Sequence, residues 1–154
     1  MFESLKFCSK NKGLSVLGYV IMLNHIHLLT WNSPETSLSD IMRDFKRHTS
    51  KRIAELLEQD NEKLFLYVFK RAGEWRSKKV KYKIWQDEFH PLAIYSEKWF
   101  QEKLIYIHNN PVKKGFVTKS EDWKYSSARN WICGDDSVMK LDLDVLFDSG
   151  ECPD

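Results

Sequence analysis

The chain has 154 residues, of which 42% are hydrophobic and 30% charged, and this suits one globular domain better than two. Its 24 basic and 22 acidic residues give a net charge of +2, so the overall charge does not by itself indicate a polyanionic partner. No apolar run approaches the roughly 20 residues needed to cross a membrane, and the start lacks the apolar core of a signal peptide. Three widely spaced cysteines fit neither a disulfide framework nor a zinc site, so we expect a cytoplasmic protein without membrane contact.

The first half of the chain predicts two strands between two helices. A short helix at 2–11 precedes an apolar strand at 14–23 and a second strand, HIHLLTW, at 25–31. Ser37 has the position of a helix N-cap, and the apolar spacing that follows predicts a long amphipathic helix to about Glu58.

The second half predicts further helices and one more strand. We expect a helix at 61–71, a basic loop at 72–83, and a strand around 89–94 that its proline restricts to an edge or a bulge. The next helix is expected to run from a cap at Ser96 to about Asn110, where the following proline stops it. This order indicates an α+β fold, a small antiparallel sheet covered by helices.

Two histidines separated by one residue, His25 and His27, are the first feature that carries chemistry. On a strand alternate residues share a face, so both imidazoles project the same way, roughly 7 Å apart along the chain. Two neutral imidazoles on one face can bind one metal ion. The pair is also compatible with hydrogen-bonded core or surface histidines, so the spacing alone leaves both interpretations open.

Several segments together resemble the HUH single-tyrosine transposases. GYVIMLNHIHLL at 18–29 is similar to the family's His-hydrophobic-His strand, and YIHNNPVKKGFV at 106–117 is similar to its tyrosine helix and the Asn-Pro after it. DWKYSSARNW at 122–131 resembles a third family segment, and SLSDIMRDFKRHTSKRI and IWQDEF resemble the intervening helix and Trp-Gln segment. The matches follow the family's order over about 14–131, and the nearest branch is that of the REP-associated tyrosine transposases, which are IS200-like.

The resemblance implies a fold, a nucleophile and a metal site. The fold would be a ferredoxin-like or RRM-like HUH domain over 1–154, with a core at about 14–131 and an acidic tail at about 132–154. Tyr106 would be the nucleophile, and Asn110, one turn later, would join His25 and His27 around Mg²⁺ or Mn²⁺. The pattern alone also allows a half-buried core role for Tyr106 and a helix-capping role for Asn110.

Helix spacing adds to the picture around the tyrosine. Tyr106 and Asn110 lie four residues apart and share a face of the predicted helix, with Trp99 and Lys103 on roughly the same face. His108 points elsewhere, so we expect it to be structural or DNA-facing.

The basic residues cluster in two segments, 43–52 and 70–83, whereas the end of the chain is acidic. This distribution suits a phosphate-binding surface, and it also suits two solvated charged faces. The resemblance implies a DNA hairpin with a short flanking single strand as the substrate, bound by a monomer or a homodimer. The expected DNA-binding residues are Arg43, Lys46, Arg47, Lys51 and Lys79.

The function that the resemblance implies is metal-dependent cleavage of single-stranded DNA, with strand transfer through a 5′-phosphotyrosine intermediate. One alternative is a catalytically silent protein that binds hairpin nucleic acid on the same fold. Another is a nickase of replication or plasmid transfer, although 154 residues leave no room for a helicase.

One departure from the family concerns the start of the chain. Relatives usually begin with an extra strand before the helix at 2–11, and this chain starts at or inside that helix. If the strand is absent, the sheet has an open edge beside the His-bearing strand, which would invite pairing with another chain or weaken the fold.

Overall fold

The computed structural model describes residues 1–76, 81–87 and 89–146. These residues form two compact units, one of residues 39–92 with Met1, the other of residues 2–38 with the chain from Ala93 onward. In chain order the elements are α1 (Phe2–Lys12), β1 (Leu14–Ile21), β2 (Ile26–Asn32), α2 (Leu38–Gln59), α3 (Lys63–Arg76), α4 (Glu97–His108), α5 (Asn110–Lys113) and α6 (Ala128–Cys133). Two short 3-10 helices follow α5, at Ser120–Asp122 and at Leu143–Leu146. The protein therefore has the predicted α+β fold with a small antiparallel sheet.

The sheet of the described residues is the hairpin β1–β2, and no strand lies beside the outer edge of β2. The register pairs Val20 with His27 and Tyr19 with Leu28, and it shifts by one residue at Leu17. Residues directly opposite each other in an antiparallel pair project to the same face. His27 therefore lies on the Val20 face, whereas Leu28 lies on the Tyr19 face.

The two faces of the hairpin are covered by different helices. On the Val20 face, Leu104 and Ile107 of α4 share a buried cluster with Leu17, Val20, Met22 and Leu29. On the other face, Tyr19 meets the edge of the Phe2 ring of α1 at 5.3 Å between ring centroids. The face that carries His27 is thus the face on which α4 packs.

Gly18 allows α4 to approach the sheet closely. A Cβ atom at this position would lie 2.7 Å from the Cδ1 of Leu104 and 3.4 Å from that of Leu29. Carbon atoms do not approach so closely without displacement, so Leu104 occupies the space that a side chain at position 18 would need.

The edge of β1 that faces away from β2 is covered by the chain after α5. Ile21 N donates to Tyr125 O at 2.8 Å, and Ser127 N donates to Tyr19 O at 2.9 Å. Further along the edge, Val16 N donates to Asp142 Oδ2 at 2.9 Å. These bonds satisfy backbone groups that an open edge would leave to water or to another chain.

In the unit of residues 39–92, Trp85 packs against the apolar stripe of α2. Its indole Nε1 donates to Thr49 Oγ1 at 2.9 Å, and its ring lies 6.2 Å from that of Phe45. Thr49 in turn donates to Phe45 O at 2.7 Å, so its hydroxyl is satisfied although the side chain is buried. The amphipathic helix predicted from Ser37 to about Glu58 is confirmed as α2.

Two local predictions in the middle of the chain are wrong. The strand expected around 89–94 is absent from residues 89–95, which have no regular structure. Pro91 has no backbone N–H to donate, and residues 90–93 are exposed. Neither the hydrogen bonds of a sheet nor burial of side chains would therefore stabilise a strand there. The predicted basic loop at 72–83 begins later, because α3 continues to Arg76.

Among the described residues, none of the helices is both long enough and apolar enough to cross a bilayer.

The close approach at Gly18 makes Gly18→Ala a sharp test of the packing. We expect this substitution to lower the free energy of unfolding by about 1–3 kcal/mol, because the new methyl group displaces Leu104. In a Leu104→Ala background the same substitution should cost less than about 0.5 kcal/mol, since the clashing atom is gone. Urea unfolding of the four variants measures the difference, and an equal cost in both backgrounds would contradict the assigned contact.

Candidate functional site

The turn between β1 and β2 presents His25. Met22 N donates to His25 O at 2.9 Å and closes the turn, so His25 lies just before β2 and not within it as predicted. Residues 23 and 24 are exposed at the tip of this turn. The tight turn takes up the residues that the sequence pattern assigned to the strands.

Asn24 orients the His25 ring. The distance from His25 Nδ1 to Asn24 Oδ1 is 2.7 Å, and an amide oxygen can only accept, so Nδ1 carries the proton. The lone pair of His25 is then on Nε2, which remains available to a ligand. Sequence reasoning missed this role, since Asn24 carries only a turn signal in the sequence.

The structure brings His25, His27 and Tyr106 together. The His25 and His27 ring centroids are 5.1 Å apart at an interplanar angle of 79°, and the His27 and Tyr106 centroids are 5.9 Å apart at 74°. The two imidazoles thus lie on one side of the hairpin, as the spacing predicted. Tyr106 comes from α4, which packs on that face.

Burial keeps His27 neutral. Desolvation lowers the pKa of His27 below its ordinary value, and the neighbouring His25 lowers it further. A neutral imidazole retains a lone pair on one ring nitrogen, which is the form that binds metals.

Tyr106 is exposed and lies between two ammonium groups. Its side chain is 47% exposed, so about half of it is open to solvent, and it is not one of the buried core residues. Lys113 Nζ lies 5.2 Å from its ring centroid and Lys103 Nζ lies 6.0 Å from it. Both cations would attract a phosphate group placed beside the ring.

Asn110 begins α5 and does not continue α4, which corrects the predicted helix. The helix α4 ends at His108, with Asn109 as its C-cap. A proline at position 111 has no N–H to offer to Ile107 O, so the helical hydrogen-bond pattern breaks there. Asn110 Nδ2 instead donates to Tyr106 O at 3.0 Å and to Ile107 O at 3.4 Å. Asn110 therefore caps the end of α4 through its amide nitrogen. Its Oδ1 takes no part in these two hydrogen bonds.

His108 is a buried structural residue, one of the two roles expected for it. It is 6% exposed, and its Nε2 lies 2.8 Å from Ser127 Oγ. Ser127 Oγ also accepts from Tyr19 N at 2.8 Å, so this hydroxyl joins the end of α4 to β1. Burial lowers the pKa of His108 from its ordinary 6.5 to about 4.

The predicted DNA-binding cations of α2 are engaged with neighbours on their own unit. Arg43 pairs with Asp40, Arg47 with Asp44 at 3.0 Å, and Lys51 with Glu55 at 4.0 Å. Lys46 Nζ donates to Gln86 O at 3.2 Å. These exposed contacts are weak enough for a phosphate to replace, but they make the surface of α2 mixed in charge. Lys79 lies outside the described residues.

The separation of the two imidazole rings is compatible with a shared divalent ion. With metal–nitrogen bonds of about 2.1 Å, two imidazoles that share an ion bring their ring centroids to roughly 5–6 Å of each other. The observed separation of 5.1 Å falls in that range. Among the described residues there is no group of three His, Cys, Asp or Glu side chains that could hold a metal, so further ligands would be of another kind.

The low pKa of His108 makes folding sensitive to acid. Below pH 6.5 the unfolded chain binds a proton that the folded chain binds only near pH 4, so stability falls as the pH drops through this window. The loss is on the order of 3 kcal/mol. We expect urea unfolding at pH values from 7.5 to 4 to show this loss of unfolding free energy in the wild-type protein. The loss should be smaller in His108→Gln. Parallel curves for the two proteins would contradict the assignment.

Comparisons with known proteins support one family. The sequence profile of the family described as "Transposase IS200 like" matches residues 1–110. The chain is 34% identical over 110 residues to a protein from Haemophilus influenzae described as a REP-associated tyrosine transposase. The aligned region is 70% of this chain and 54% of that relative, so the chain spans about half the length of the curated relative it matches. No solved structure gave a significant match. The chain belongs to the IS200-like transposase family.

Proposed function

We propose that this chain cleaves single-stranded DNA through Tyr106 and transfers the cut strand to a second end. The observation that carries the proposal is the proximity of three rings. The ring centroids of Tyr106 and His27 are 5.9 Å apart, and those of His27 and His25 are 5.1 Å apart. An exposed phenol beside two imidazoles combines a nucleophile with a potential metal site. Membership of the IS200-like transposase family supports the same chemistry.

The covalent step exchanges one phosphodiester bond for another. The Tyr106 oxygen attacks the scissile phosphorus, the bond from phosphorus to the 3′ oxygen breaks, and a 5′-phosphotyrosine and a free 3′-hydroxyl result. The phenol proton passes to water, and the leaving 3′ oxygen takes up a proton from water. Attack by another 3′-hydroxyl on the phosphotyrosine reverses the exchange, so no external energy source is needed.

The residues that would hold Mg²⁺ or Mn²⁺ are His25, His27 and Asn110. When bound, such an ion supplies Lewis-acid polarisation of the scissile phosphate. Asn24 holds the His25 proton on Nδ1, which leaves Nε2 with the lone pair, and the lowered pKa of His27 favours its unprotonated form. Asn110 uses Nδ2 to cap α4, so Oδ1 is the atom that it could offer to the ion.

The lysines near Tyr106 have a separate role. Lys103 and Lys113 place positive charge at 6.0 Å and 5.2 Å from its ring, where the scissile phosphate would lie. They would attract the scissile phosphate and offset the negative charge that develops on it during attack. The expected substrate is a DNA hairpin with a flanking single strand, bound by a monomer or a homodimer.

Tyr106→Phe tests the nucleophile. We expect the wild-type chain with Mn²⁺ or Mg²⁺ to form a covalent adduct with labelled single-stranded oligonucleotides that carry a hairpin, visible on a denaturing gel. Removing the hydroxyl should reduce the adduct at least on the order of a thousandfold, because no other group replaces the attacking oxygen.

Tyr67→Phe is the matched control, because Tyr67 is also an exposed tyrosine and lies on α3. Its adduct should equal that of the wild type. Hairpin binding without any adduct in the wild type would favour the catalytically silent binding protein. An adduct that persists in Tyr106→Phe would refute the assigned nucleophile.

Asn24→Ala tests the metal site at equilibrium. Loss of the group that orients a metal-binding histidine typically costs roughly 10- to 100-fold in metal affinity. We expect that loss for Mn²⁺ in Asn24→Ala and a larger one in His27→Ala, both measured by calorimetric titration. His48→Ala, at an exposed histidine of α2, should bind Mn²⁺ like the wild type. Equal affinities in all four proteins would rule out this site.

A further inference from the structure

A row of aromatic and basic side chains runs from just before α4 along one side of the helix to Tyr106. Its two ends, Tyr95 and Tyr106, are exposed, and Trp99 and Lys103 between them are partly exposed. Tyr95, immediately before the N-cap Ser96, is 85% exposed, and its ring centroid lies 6.3 Å from that of Trp99. Lys103 Nζ lies 5.8 Å from the Trp99 ring and 6.0 Å from the Tyr106 ring. Steps of four and three residues keep Trp99, Lys103 and Tyr106 on one side of the helix, and its ring contact with Trp99 places Tyr95 beside them. We call these four residues the α4 row.

The α4 row does not serve the core. The core side of α4 is formed by Leu104 and Ile107, which are buried against β1. Aromatic rings that face water form an apolar surface that marks a binding site when the rings are contiguous. A flat ring at an exposed position offers its face to a base of any identity, so the row is chemically suited to a single-stranded nucleic acid.

The lysines at this face differ from the cations of α2. Among the residues that the structure describes, neither Lys103 nor Lys113 forms an ion pair with an acidic side chain. On α2, by contrast, Arg43, Arg47 and Lys51 each have a carboxylate partner. An ammonium without a carboxylate partner keeps its full attraction for a phosphate.

We propose that the α4 row is the track along which the single strand reaches Tyr106. Bases stack on the rings of Tyr95 and Trp99, and the phosphates near the cut bond lie against Lys103 and Lys113. The track rests on the proposed function, because it assumes that Tyr106 acts on a single strand.

Helix geometry sets the register of the strand. Seven residues separate Trp99 from Tyr106, a rise of about 10 Å along the helix axis. Stacked nucleotides advance by roughly 3.4 Å each, so the base on Trp99 lies roughly two to three nucleotides from the cut phosphate. The track therefore contacts a base that lies beyond the bond to be cut.

One carboxylate opposes the phosphates. Glu102 is exposed and lies three residues after Trp99 and four before Tyr106, on the same side of α4. Because like charges repel, Glu102→Gln is expected to tighten the binding of a single strand by roughly 1.5- to 5-fold. A purely structural role of the row gives no reason for such a gain.

The test uses the full chain and a fluorescein-labelled oligothymidine of twelve nucleotides, with binding followed by anisotropy. We expect Trp99→Ala to weaken binding roughly 5- to 100-fold and Trp99→Phe to stay within about threefold of the wild type. Lys103→Gln should reduce the slope of log affinity against log salt by about 0.7, the value for one phosphate contact. The control is Tyr67→Ala, which removes an aromatic ring that is 63% exposed on α3, outside both basic segments, and should leave binding unchanged.

Abasic substitutions locate the stacked base. A single abasic site moved along a cleavable hairpin oligonucleotide should weaken wild-type binding most at two to three nucleotides from the cut bond. That position should lose its effect in Trp99→Ala, because the stacking partner is already gone. An abasic effect of equal size in both proteins would refute the track. The track would also be refuted if the Trp99→Ala and Glu102→Gln proteins bound oligothymidine with the affinity of the wild type.

The two proposals fail in different ways. If the wild type binds the strand through Trp99 but forms no adduct, the track stands and the nucleophile is wrong. If the adduct forms and neither binding nor adduct depends on Trp99, Lys103 or Glu102, the nucleophile stands and the track is wrong.

Discussion

The site depends on how closely α4 can approach the β1–β2 hairpin. His27 and Tyr106 are almost eighty residues apart in the chain, and their ring centroids are 5.9 Å apart in the structure. This proximity requires close packing of α4 on the hairpin. Gly18 provides the space, since Leu104 stands where a Cβ atom would be. Tyr106 is two residues, about 3 Å of rise, beyond that contact, so a shift of the helix backbone at Leu104 would also move Tyr106.

A second set of contacts holds the end of α4 that carries Tyr106. Ser127 bonds to His108 and to the backbone of Tyr19, so the segment after α5 fastens both the helix and the free edge of β1. This segment lies beyond residues 1–110, over which the family profile matches. The covered edge also removes the exposure that a two-stranded sheet would have along β1. The residues after 110 therefore stabilise the site although they contribute none of its proposed ligands.

Local patterns predicted the parts of the site that depend on local geometry. Alternation along a strand predicted His25 and His27 on one side, and their rings lie 5.1 Å apart although His25 belongs to the turn before β2. A serine before an apolar run located the cap of α4 at Ser96. The end of α4 at His108 lies within two residues of the predicted end at about Asn110, but Asn110 itself begins α5, because Pro111 breaks the helical hydrogen-bond pattern. The role of Ser127 depends on tertiary partners, and that of Asn24 depends on the turn that aims it at its neighbour His25. No periodicity in the sequence signals either role. The catalytic, metal-binding and DNA-binding roles rest on the family resemblance and stay predictions.

The distribution of charge limits how this chain could hold a nucleic acid. Its net charge is only +2, and the ion pairs of α2 leave a mixed surface where the sequence suggested a basic one. Two phosphate contacts on a single strand release few counterions, with a salt slope of only about 1.4, and give modest affinity. Aromatic stacking does not depend on net charge and adds roughly 1–3 kcal/mol for each base. A weakly charged protein that binds single strands must therefore rely on exposed rings, and on α4 these rings lead to Tyr106.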